Sequence, residues 1–95
     1  MSDGTNNLSM QDGDRATEAA TVARHWVDLY RELIPFEEQV LARAEELVRG
    51  RSEAVLKAVR ETNLQPLAEL IEEFRVRLMF WRARLHELQE RPPAA

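Results

Sequence analysis

The side chains able to do chemistry are few in this chain, and their types exclude more than they admit. There is no cysteine, which removes thiolate nucleophiles, disulfides and cysteine-held zinc together. Histidine occurs only at His25 and His86, too few for a histidine-based metal centre. Glu69, Glu72 and Glu73 stand at spacings that stack carboxylates on one helix face. A di-iron carboxylate site also needs Glu-x-x-His pairs, and the sequence has none. These glutamates read as solvated surface, and neither a metal nor a cofactor is expected.

Arginine is the remaining chemical resource. Arg75 and Arg82 form one column seven residues apart, and Arg77 and Arg84 form a second. Guanidinium groups fit carboxylates and phosphates well. The sharper reading of Arg75, Arg77, Arg82 and Arg84 is therefore an anion or acidic-partner site assembled across a dimer. The plainer one is a set of ion pairs, with Arg75 and Arg77 level with Asp28 and Glu32, that fixes how two helices align. The net charge is −4, which argues against nucleic acid or an anionic membrane as the partner.

The elements that must position these groups are helices. Residues 1–13 hold mostly Ser, Asp, Gly, Thr and Asn and read as a disordered arm, because they cannot bury enough apolar surface to offset the entropy of ordering. Residues 92–95, opening with Pro92-Pro93, read as a disordered tail that ends the last helix. Between them, residues 14–91 read as one helical domain. The first helix is expected from a cap at Asp14 to Arg49, with Gly50 as its stop.

Four apolar columns run along that first helix. Ala19, Trp26, Leu33, Val40 and Leu47 recur every seven residues, as do Ala20, Val27, Ile34, Leu41 and Val48. Val22, Leu29 and Phe36 add a third column, and Ala23, Tyr30 and Ala44 a fourth. Two columns suffice for a two-helix seam; four imply more than one neighbour.

After the Gly50-Arg51 turn, Ser52 is placed to cap the next helix. Leu64, Leu67, Ile71, Phe74, Leu78, Trp81, Leu85 and Leu88 follow a strict heptad. Upstream, Leu56, Val59 and Asn63 continue it with one phase slip. A kink over residues 62–66 accounts for the slip better than a helix break. Pro35 and Pro66 stand at nearly equal distances from Gly50, which predicts that both helices bend at one height.

The last helix should be polar on its back, yet Val76, Met79, Phe80 and Ala83 lie there, with His86 beside them. A helix that is apolar on two sides is buried on both or presents a binding surface. These four residues, with Trp26 and Trp81, are the expected partner or dimer interface. Both tryptophans also sit at core spacing.

Glu53-Ala54-Val55-Leu56-Lys57-Ala58-Val59-Arg60, followed by Leu64-Gln65-Pro66, resembles the second and third helices of all-α chorismate mutases over about a third of the chain. The resemblance implies an intertwined helical dimer acting on a dicarboxylate. In that family the first helix brings inward-facing basic residues to the substrate. Here the apolar face from Ala19 to Leu47 carries none near its middle.

The expected fold is thus all-α: an antiparallel hairpin of two long kinked helices, pairing as a dimeric four-helix bundle. The expected function is a non-enzymatic scaffold or regulatory adaptor, homodimeric and cytoplasmic, with another protein as its target. The alternative is a small dimeric enzyme of chorismate-mutase type or a binder of small anions. No nucleic acid and no membrane partner is expected.

Overall fold

The computed structural model describes the backbone of residues 3–90 and the side chains of residues 15–90. The expected tail over 92–95 lies outside the described residues, and the first helix, expected to start at Asp14, starts at Asp3 and so takes in the backbone of residues 3–13. Four helical segments follow one another: α1 (Asp3–Val48), α2 (Glu53–Val59), a five-residue π-helix (Arg60–Leu64) and α3 (Gln65–Glu90). There is no strand among the described residues. The last three segments run on without a break, so the chain makes two long arms joined by a short turn.

The turn is built from the residues expected for it. Gly50 has φ +84°, in the left-handed region. The Arg49 N–H donates to the Glu46 carbonyl at 3.2 Å, and the Arg51 N–H to the Val48 carbonyl at 3.1 Å, closing the end of α1. Ser52 caps α2: its backbone is extended, and its Oγ accepts from the Val55 N–H at 3.3 Å.

The phase slip in the second arm is a widened turn. In the π-helix the Gln65 N–H donates to the Arg60 carbonyl, five residues back. Every residue of this arm that is not exposed lies on one stripe: Leu56, Val59, Leu64, Leu67, Ile71, Phe74, Leu78, Trp81, Leu85 and Leu88. Its steps are three or four residues throughout, except for the step of five from Val59 to Leu64, which spans the π-helix. The sequence places both Asn63 and Leu64 on this stripe; the structure keeps Leu64 there and exposes Asn63. Pro66 supplies the physical cause. In α geometry its ring collides with the carbonyl of Thr62 and it offers no N–H, and a wider turn relieves the crowding.

Pro35 is accommodated differently. It is exposed, and α1 remains α-helical through it. Nor do the two prolines share a height. Trp26 stacks on Trp81 with ring centroids 6.1 Å apart, Tyr30 packs on Phe74 at 5.6 Å, and Arg75 pairs with Glu38 at 2.6 Å. This register sets Pro35 near the Glu72–Phe74 turn, whereas Gln65, beside Pro66, shares a groove with Leu41 and Glu45. The expected matched bend is therefore corrected. Counting equal residues from Gly50 fails because the extended backbone at Ser52 and the π-turn both break the 1.5 Å per residue on which such counting rests.

On α1 the seam toward α3 is one heptad stripe that includes Ala20, Ala23, Val27, Tyr30, Ile34, Leu41 and Ala44. Among the described residues Ala23, Val27, Tyr30 and Ile71 are the buried ones, so this seam is a thin core. The two arms lie side by side, α1 against α3, with no further element among the described residues to cover either face. The hairpin is a single layer.

Candidate functional site

Two faces of this layer carry unspent chemistry, one polar and one apolar. The polar face begins at the ion pair between Arg75 and Glu38. The Arg75 guanidinium donates to Glu38 Oε2 at 2.6 Å and to Glu72 Oε2 at 3.2 Å. Hydrogen bonds to Glu72 and Glu38 raise its pKa above the ordinary arginine value. Arg77 is likewise raised, by the Tyr30 hydroxyl and then by Glu73, whose Oε1 it reaches at 2.7 Å. Arg84 pairs with Glu87 at 3.3 Å. The expected alignment of Arg75 and Arg77 with Asp28 and Glu32 is thus replaced. Arg75 meets Glu38, and Arg77 pairs with Glu73 of its own helix, because the register is displaced as described above.

Within one hairpin the four arginines singled out from sequence do not converge on one point. Arg75, Arg77 and Arg84 are engaged by glutamates, and among the described residues Arg82 makes no ion pair. Arg82 joins residues that sequence reading passed over. It lines an open groove of about 620 Å³ with Arg24, Asp28 and Arg31 of α1 and His86 and Gln89 of α3, over a floor of Val27 and Leu85, with the exposed Ala83 at its rim. The heptad explains the arrangement. Arg24, Arg31 and Glu38 are one column of α1, and Arg75, Arg82 and Gln89 are one column of α3. The Glu38–Arg75 pair shows that these columns face each other. The next rung toward the open end therefore sets Arg31 against Arg82. Neither column is visible as a pair until the register is known.

The apolar face belongs to α1. Beside its seam toward α3 runs a second heptad stripe: Val22, Trp26, Leu29, Leu33, Phe36, Val40 and Leu47. Val22 is 48% exposed, Phe36 60% and Leu47 69%. At about 100° per residue the two stripes lie about 110° apart. Phe36, Val40, Ala44 and Leu47 line a shallow groove on this side. On α3 the expected interface residues Val76, Met79 and Phe80 are 59%, 70% and 60% exposed, and Ala83 is exposed beside them. Trp26 and Trp81 are half-buried and stack on each other across the hairpin seam, with Phe80 edge-on to Trp81 at 5.1 Å.

Among the described residues no cluster of His, Asp and Glu is arranged to hold a metal ion, and no helix is long and apolar enough to cross a membrane. No family model matches the chain, and no curated protein or solved structure matches it.

Proposed function

We propose that this protein is a non-enzymatic helical interaction protein that acts as a homodimer, two hairpins stacking into a four-helix bundle. The observation that carries the reading is the second apolar stripe of α1 on a molecule one layer thick. Stable domains bury each helix stripe against a further layer. The angle of about 110° between the two stripes is close to the right angle between a helix's two neighbours in a bundle. From Val22 to Leu47 the stripe is about 37 Å long at 1.5 Å per residue, and the same stripe on a second copy is its self-complementary match under two-fold symmetry. The outer face of α3, with Val76, Met79, Phe80 and Ala83, points away from the seam. It serves in this reading as the surface that a target protein's amphipathic helix covers.

Sedimentation equilibrium tests the pairing. The expected species has twice the 11.0 kDa of one chain, and Phe36→Glu is expected to halve it while the hairpin stays helical. Phe80→Glu is expected to leave the dimer intact. An 11.0 kDa species for the unaltered protein at micromolar concentration overturns the reading.

A further inference from the structure

We propose that the groove between α1 and α3 at the open end of the hairpin binds a phosphate monoester with a small apolar body. Two polar ladders face each other there: Arg24, Asp28 and Arg31 on α1, and Arg82, His86 and Gln89 on α3. Each is spaced at four and then three residues, which keeps its members on one helix face.

The columns themselves show what is missing. One rung inward, the same two columns bring Glu38 to Arg75, and the pair closes at 2.6 Å. At the next rung Arg31 stands opposite Arg82, like charge against like. Among the described residues no carboxylate forms an ion pair with Arg24, Arg31 or Arg82, whereas Arg75, Arg77 and Arg84 each hold a glutamate. Three arginines against Asp28 leave two positive charges uncompensated in the groove, on a chain whose net charge is −4. A phosphate monoester brings a charge of about −1.5 to −2 at neutral pH. It accepts the paired N–H donors of guanidinium groups from both sides. Its oxygens would bridge Arg31 and Arg82 in the way that Glu38 Oε2 engages Arg75. His86 and Gln89 supply further polar contacts.

The floor selects an organic ester over the bare ion. Val27 is buried, and the half-buried Leu85 lines the groove with it. The apolar floor gives the organic part of an ester a surface to lie on while its phosphate meets the arginines at the rim of the open groove. The groove lies on the side of the seam marked by the Glu38–Arg75 pair, and the second stripe of α1 lies toward the other side. Binding here does not depend on how the hairpins pair.

The test is titration of the full chain with phenyl phosphate and, separately, with inorganic phosphate, followed by calorimetry and by the Nε–Hε resonances of the arginines. Phenyl phosphate is expected to bind saturably and shift Arg31 and Arg82, with inorganic phosphate weaker by about tenfold or more. Arg31→Ala and Arg82→Ala should each weaken phenyl phosphate about tenfold, and Arg84→Ala should not. Arg82→Glu should abolish binding while raising the melting temperature, since it gives Arg31 a carboxylate. Equal binding of the two phosphates overturns the organic-ester assignment. No saturable binding, or equal loss in Arg84→Ala, overturns the site.

Discussion

Val59 and Leu64 are successive rungs of one seam although five residues separate them, because the π-helix between them spends those five on a single turn. The extra residue is therefore a register device, and its removal has a defined consequence. Deleting Thr62 together with Pro66→Ala, which removes the ring that the wider turn accommodates, reduces that step to four and makes the whole arm a regular α-helical stripe. The expected outcome is a folded hairpin with undiminished far-ultraviolet helical signal. Deleting Glu73, between Ile71 and Phe74, turns the rest of the stripe by about 100° away from α1 and should abolish the cooperative transition. Equal loss of structure in both deletions would show that the π-turn has no such role.

Pro35 costs stability without an evident return within the hairpin. It is exposed, in a helix that stays α-helical around it. In a helix interior proline is about 3 kcal/mol less favourable than alanine. Pro35→Ala should raise stability by about 1 to 3 kcal/mol, read as a higher urea midpoint at unchanged slope. A lower midpoint would mean that the chain needs a bend at this position.

Trp26 and Trp81 stack at 6.1 Å with planes 22° apart, and Tyr30 continues the stack from Trp26 at 6.0 Å. The two rings are half-buried, so replacing either with alanine should cost about 2 kcal/mol, less than the 3 to 5 typical of a fully buried tryptophan. Because each loses its partner's contact, the double variant should cost less than the two single losses added. Strict additivity in chemical denaturation would show that the stacking carries no energy of its own.

Phe74 and Phe80 separate the hairpin's core from its outer surface. Phe74 packs against Tyr30 with ring centroids 5.6 Å apart, whereas Phe80 is 60% exposed. Phe74→Glu sets a charge into the seam without a partner and should unfold the chain. Phe80→Glu should leave the circular dichroism spectrum and the melting transition nearly unchanged. If the two variants melt alike, the outer face of α3 contributes to folding.

Much of the fold is legible from residue types alone. The heptads require helices, Gly50 supplies the left-handed residue that ends α1, and Ser52 supplies the acceptor that starts α2. These signals are local: each depends on neighbours within a turn or two, where 3.6 residues per turn fixes geometry. The phase slip before Pro66 is equally present in the sequence. Whether it becomes a break, a kink or a π-turn depends on what the two flanking stripes must touch, and only packing against α1 keeps both on one seam.

Register is what the tertiary structure alone decided. The pairing of Arg75 with Glu38 and the sharing of one groove by Arg31 and Arg82 depend on the sum of rises through the turn, the cap and the π-helix. A few residues of offset along one helix change every partner on the other, and no local pattern encodes that sum. The same holds for the four apolar columns of α1. Their existence follows from the sequence, but which of them face α3 and which remain uncovered was set by the side on which the second arm returned.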